Sequence, residues 1–197
     1  MEYMDEKILK MKNQFKKYEN KDIMGTVHIG EEKFEFEDVE FFDGKMTMRI
    51  PEVFTDMPLE MAKMKYPSEQ RPQSIKTNED GSVNITLSLF DEAIEKDQIK
   101  ECRNGFRSII KRMNPSTLFF DNEIMDMEDT KIGYFDYRSP ALDDNLYNIM
   151  FVRAIDSKLL MGTFNCIFKD MEEWKPVALQ MILSIKDLTQ KKEGETA

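Results

Sequence analysis

A single histidine, His28, serves the whole chain of 197 residues. A Ser-His-Asp or Cys-His nucleophilic site would have to be built on it. No Gly-x-Ser-x-Gly elbow surrounds any serine. A zinc site usually draws on several His or Cys ligands, and His28 has no second ligand nearby in its short strand-like segment. It reads as a structural or surface residue. The two cysteines, Cys102 and Cys166, are far apart and each sits in an apolar-patterned stretch. That excludes a disulfide framework and predicts two buried free thiols. With only eight glycines, the chain holds neither G-x-x-x-x-G-K-[ST] nor G-x-G-x-x-G, so the usual phosphate cradles are missing. No stretch approaches the roughly 18 apolar residues that a membrane span needs. The start, MEYMDEKILK, has no apolar core of a secretory signal, and no lipidation motif is present. These absences predict a cytoplasmic protein with no metal and no cofactor.

What is present is enough for one folded domain. Hydrophobic residues make up 41% and aromatics 11%, which supports a core and argues against disorder. The charged fraction is 34% and the net charge is −10. A phosphate backbone or an anionic membrane surface is repelled by that average, so neither nucleic acid nor membrane is an expected partner. Sixteen methionines are present, and Met46, Met48, Met150, Met161 and Met181 fall at core-patterned positions. They read as core filler more than as a promiscuous binding surface.

Residues 4–18 read as an amphipathic helix. Met4, Ile8, Met11, Phe15 and Tyr18 line one face, and five lysines occupy the other. The polar face reads as solvated, with the helix docked on its own domain. The other reading is association through Ile8, Met11, Phe15 and Tyr18, either with a partner or as a homodimer. Strand-like runs follow at 23–29, 33–42 and 46–50, with Asp43-Gly44 marking a hairpin. A short helix is predicted over 59–66, strands at 73–77 and 82–90, and a helix over 97–113, with Ile99, Cys102, Phe106, Ile109, Ile110 and Met113 as its apolar stripe, that stops at Asn114-Pro115. Four adjacent β-leaning runs (117–127, 130–138, 145–156 and 158–168) read as an antiparallel meander. Asp170 is the expected N-cap of a final helix with Glu173 three residues on. That helix carries Trp174, Val177, Ala178, Met181, Ile182 and Ile185 as its apolar stripe.

This order and its local sequence resemble a bacterial-type member of the PsbP-like superfamily, which also includes the Ran-binding Mog and bacterial DcrB-type proteins. The segments that carry the resemblance are GKMTMRIPEVFTDM, MKYPSEQRPQSIKTNEDGSVNITLSL, the helix ending at Met113 with its following meander, and DMEEWKPVALQMILSIKDL. It spans residues 34–186. It implies an α+β fold, an α/β/α sandwich around a central antiparallel sheet of about six to seven strands, here with an added N-terminal helix. The domain limits read as 1–30 for the N-terminal helix and strand extension, 31–188 for the PsbP-like domain and 189–197 for a polar tail. Members of the superfamily are mostly non-enzymatic binding or assembly proteins, which implies such a role here.

The acidic run 121–130 lacks the ligand spacing and the glycine of an EF-hand loop. None of the 38 acids stands in a local arrangement that singles out a catalytic pair. The residues that suggest recognition are aromatic and basic: Tyr66 and Arg71 in the proline-rich bend, and Tyr134, Tyr137, Arg138 and Arg153 in the meander. The competing reading makes the tyrosines half-buried sheet residues and pairs the arginines with acids. The expected function is an adaptor that binds an unidentified protein. The alternative is a small-ligand receptor or enzyme with a cavity between sheet and helix.

Overall fold

The computed structural model describes residues 22–127, 130–141 and 144–189. The expected helix 4–18, with Ile8, Met11, Phe15 and Tyr18, lies outside them, as do residues 190–197. Thr189, at the start of the expected tail, is tied back to Asp187 through its backbone N–H at 2.9 Å and its hydroxyl at 2.6 Å.

The chain opens with two short strands, β1 (Val27–Ile29) and β2 (Glu32–Phe34), which pair across Gly30. Gly30 has φ +59°, a conformation that costs glycine little. Strands β3 (Phe36–Phe41) and β4 (Met46–Pro51) form the hairpin predicted at Asp43-Gly44, with Phe42, Asp43 and Gly44 all at positive φ. Then follow β5 (Thr55–Asp56), helix α1 (Leu59–Lys65), β6 (Ser74–Thr77), β7 (Asn84–Ala93) and helix α2 (Ile99–Met113). The meander is β8 (Leu118–Asp126), β9 (Lys131–Pro140), β10 (Asn145–Ile155) and β11 (Lys158–Ile167). A 3₁₀ turn, Phe168–Asp170, leads into helix α3 (Met171–Leu183), and β12 (Lys186–Asp187) closes the described chain. Asp170 does occupy the N-cap position of α3, but its side chain makes no capping hydrogen bond, because the 3₁₀ turn enters the helix directly.

Seven strands form one antiparallel sheet in the order β5-β6-β7-β11-β10-β9-β8. A separate three-stranded sheet, β12-β4-β3, was not foreseen: the end of the chain returns to pair with Thr47 and Met46. Alternation along β10 sorts the layers. Tyr147, Ile149, Phe151 and Ile155 enter the main core, with β4 and α3 packed over it. Val152 and Ala154 face the other way and meet Ile99, Cys102 and Phe106 of α2. Helix α1 packs on Ile75, on that same second face. The result is a sandwich with α1 and α2 on one face and α3 with the small sheet on the other.

Trp174 anchors the main core. Its ring stands 5.2 Å from Phe34, 6.1 Å from Phe54 and 5.8 Å from Phe164, centroid to centroid. Ile23, Val27, Ile29 and Phe34 belong to the same core, so residues 22–34 pack as part of it.

Candidate functional site

A group of hydrogen-bonded ionisable side chains sits where α3 meets the meander. A bulge in β8 creates it: the register with β9 jumps from Phe119–Tyr137 to Asn122–Phe135. The extra residue turns the Asp121 N–H toward the Asp136 carboxylate, 2.6 Å away. The Tyr147 hydroxyl donates to the other Asp136 oxygen at 2.6 Å. Lys175, from α3, donates to that oxygen and to Asp121, each at 2.6 Å. The Asp136 side chain is fully buried. Burial opposes the Lys175 charge, but the hydrogen bonds and charges of Asp121 and Asp136 outweigh it and raise its pKa. Burial, and then Asp136, raise the Tyr147 hydroxyl. Beside them burial and then Asp170 push the Cys166 thiol up to about 12. Lys175 and Tyr147 keep their protons at neutral pH and donate them to the two carboxylates. The cluster ties α3 to the sheet.

The second face of the large sheet is polar between α1 and α2. Strand registers align one row across six strands: Thr77, Asn84, Asn165, Asn148, Tyr137 and Phe119. Thr77 donates its hydroxyl to Asn84 at 2.7 Å, and the Asn84 amide donates to Asn165 at 2.9 Å. Asn165 donates to the Tyr66 hydroxyl at 3.4 Å, and Asn148 to Ser139 at 3.0 Å. The amides on this row hold one another and the proline-rich bend.

Helix α2 carries the charge feature. Over Ile99–Met113 it has five cations and one acid, in a chain of net charge −10. Lys100, Arg103, Arg107 and Lys111 recur at steps of three, four and four, which puts them on one helical stripe. Lys111 closes the helix end by donating to the carbonyls of Pro115, at 2.8 Å, and Thr117, at 3.2 Å. Arg103 is 4% exposed and donates Nε and Nη2 to the amide oxygen of Asn104, at 3.3 and 2.9 Å. Burial lowers its pKa, the Glu123 charge raises it and Arg107 lowers it further. The Arg107 guanidinium lies 4.3 Å over the Phe119 ring, and its Nε is buried with no hydrogen-bond partner.

The six residues singled out from the sequence fall on two faces. Tyr66, Arg71 and Tyr137 belong to the α1–α2 side. Arg71 donates to the Tyr66 carbonyl at 3.4 Å, and burial pushes the Tyr137 hydroxyl up to about 12. Tyr134, Arg138 and Arg153 share the opposite strand parity. Tyr134 is 5% exposed in the main core. Arg153 is 1% exposed and donates to the Ile185 carbonyl at 2.8 Å, locking the end of α3 to β10. Burial therefore removes Tyr134 and Arg153 from any docking surface. Arg138 lies 5.3 Å from the Phe168 ring, at the α3 end. The basic stripe of α2, beside its apolar one, is not among the residues expected from the sequence to recognise a partner. The signal was there in the 3-4-4 spacing of its cations.

Near the start of α2, an open cleft of about 500 Å³ is lined by Glu95, Lys96, Asp97 and Lys131. Its lining side chains carry two charges of each sign. Among the described residues no helix is long and apolar enough to cross a membrane, and no three His, Cys, Asp or Glu side chains converge as a metal site. His28 is exposed on β1.

No family model matches the chain, and no curated protein matches it. Solved structures do. The chain is similar to cyanobacterial PsbP from Synechocystis sp. PCC 6803, at 10% identity and a TM-score of 0.57, over 77% of this chain and 92% of that one. A protein of unknown function from Pseudomonas aeruginosa matches at 10% identity and a TM-score of 0.43, over 75% of this chain and 93% of that one. A Bacteroides thetaiotaomicron protein matches at 13% identity and a TM-score of 0.46, over 82% of this chain and 50% of that one. The cyanobacterial likeness, over nearly the full length of that domain, shows that this chain has the PsbP-like fold.

Proposed function

We propose that the protein is a non-enzymatic recognition module that docks an acidic segment of another protein along the basic stripe of α2. The observation that carries this reading is the concentration of five cations on one helix of an otherwise acidic molecule. Lys100 and Arg112 make no ion pair within the described chain, so their charge is available to a partner. Ile109, 43% exposed, and Met113, 79% exposed, lie on the other flank of the helix, so the stripe meets a partner through charge. The molecule as a whole still repels polyanions, which favours a short acidic protein segment over nucleic acid or an anionic membrane. The titratable cluster around Asp136 is committed to its own hydrogen bonds, which supports recognition over catalysis. Two free thiols, Cys102 and Cys166, fit a reducing compartment such as the cytoplasm.

The test is affinity capture from native lysate with three baits: the wild type, Lys100→Glu/Arg112→Glu, and the control Lys33→Glu on β2. The reading predicts a discrete acidic protein retained by the wild type and the control and lost by the α2 variant. Equal recovery by all three baits, or no recovery above background by any, contradicts it.

A further inference from the structure

We infer that the open edge of β8, overhung by Lys100 and Lys111, takes the acidic segment as an added strand, with Asp and Glu side chains turned under α2 and apolar side chains turned to Leu118 and Phe120. This rests on the reading that α2 faces an acidic partner, and it adds the conformation and the side-chain pattern of that partner.

β8 ends the order of the large sheet, and among the described residues no strand pairs with its outer side. About half of its backbone N–H and C=O groups therefore point away from β9. Beyond the bulge, residues 122–126 keep an unbroken ladder with β9, which leaves a regular outer edge, and Asn122 and Glu123 are exposed on it. Helix α2 runs along this strand. Its end meets Thr117 through Lys111, at 3.2 Å, its middle meets Phe119 through Arg107, and its start packs Ile99 near Ile124. Cys102 and Phe106 lean the other way, toward Val152 and Ala154 of β10. The basic stripe therefore lies on the β8 side. Arg103 and the Arg107 Nε are buried, so the exposed residues of the stripe are Lys100 and Lys111. Eleven positions separate them, about 16 Å of helix, which matches roughly five residues of strand. Lys111 spends two donors on the Pro115 and Thr117 carbonyls and keeps a third.

The side chains of an added strand alternate, so its two faces meet different chemistry. On the α2 side they pass below Lys100 and Lys111, which attract carboxylates and repel cations. On the α3 side they meet Leu118, 48% exposed, and Phe120, 45% exposed. Phe120 stacks on Phe168 there, 6.1 Å between centroids, and Leu118 pairs with Arg138. Glu123 stands on the same side, opposite the buried Tyr134, and repels acids from it. The edge therefore calls for alternating acidic and apolar residues, and a slip by one residue would reverse both faces. A second copy of β8 fits poorly, because a two-fold axis would bring two basic stripes together over the joint. The first 21 residues of the chain, with six Lys against four acids, fit poorly for the same reason. The described chain also starts on the other face of the large sheet, where the Ile23 carbonyl accepts from Arg49 of β4 at 2.9 Å.

The test uses the full-length protein and a heptapeptide, EVEVEVE, capped at both ends, as the probe. Two further probes carry N-methyl groups on alternate amides, one on its Glu residues and the other on its Val residues. Methylation removes backbone donors and leaves the charges in place. Binding is measured by calorimetry, and the amides of β8 are followed by NMR hydrogen exchange. Only one edge of the peptide faces β8. One methylated probe should therefore bind about tenfold more weakly than the parent, and the other nearly as well as the parent. Exchange of the outward-facing amides within residues 122–126 should slow on binding. Lys100→Gln and Leu118→Gln should each weaken the parent probe about threefold, with thermal unfolding showing that both variants are folded. If both methylated probes bind as tightly as the parent, the added strand is wrong and acidic docking on α2 stands. If no probe binds at millimolar concentration, both fail. If KVKVKVK binds more tightly than EVEVEVE, the acidic pattern is overturned. If the outward-facing amides are already protected before any probe is added, the chain itself or a second copy occupies the edge, and the inference is overturned.

Discussion

Gly162 shows how tightly single positions are set. It pairs across the sheet with Phe151, whose ring covers it. A Cβ there would stand 2.6 and 2.7 Å from the Phe151 ring carbons Cε1 and Cε2. Gly162→Ala should therefore force the ring aside and cost about 1–3 kcal/mol, measured by urea unfolding. Cys166 sets a pH dependence. Its thiol is moved from an ordinary 9.0 up to about 12 in the folded chain, by burial first and then by the Asp170 charge. Unfolded chains ionise this group more readily, so its contribution is whole below pH 9 and is lost as pH rises toward 12. Stability should fall by up to about 1.4 kcal/mol per pH unit inside that window. Cys166→Ala should flatten that slope, read from denaturant midpoints at pH 8 and pH 10. The sequence did reveal that both thiols were unpaired. It could not reveal that Arg153 is an interior residue, because the carbonyl it binds belongs to Ile185, 32 residues away.

Among the elements, strands and turns were the most legible. The alternation of Met46, Met48 and Ile50 placed β4, and the turn residues placed the meander to within a few positions. The grouping of strands into three sheets was not legible, since β12 has two residues and its partner lies about 140 positions upstream. Hairpin chemistry makes one prediction here. Asp156 and Ser157 join β10 to β11 with φ of 54° and 57°. That two-residue loop favours glycine at its second position. Ser157→Gly should stabilise the protein by about 1 kcal/mol, seen as a raised Tm. At the other end of the meander, Lys175 holds α3 to β8 and β9 through Asp121 and Asp136. Lys175→Met would leave the buried Asp136 charge without its cation and should cost about 3 kcal/mol. Asp136→Asn in the Lys175→Met background should restore part of that loss.

At the scale of the molecule, charge is divided between the two faces. Glu31, Glu32, Glu35, Glu37, Asp38 and Glu40 are exposed on or beside β2 and β3, over the small sheet. The cations of α2 stand on the opposite face of the large sheet. Sequence periodicity showed that α2 would bury one stripe, but the facing of its second stripe depended on β8, a strand whose own edge was unknown until the pairing order was seen. The split of Tyr66 and Tyr137 from Tyr134, Arg138 and Arg153 has the same origin. Parity along β9 was readable, while the identity of the buried face was set by α3 and the small sheet. The central claim is that a partner's acids meet α2, and zero-length carboxyl-to-lysine cross-linking of the captured complex reads this directly. The account predicts links from partner Asp or Glu residues to Lys100 and Lys111. Links concentrated instead on Lys33, Lys45 and Lys186, around the small sheet, would contradict it.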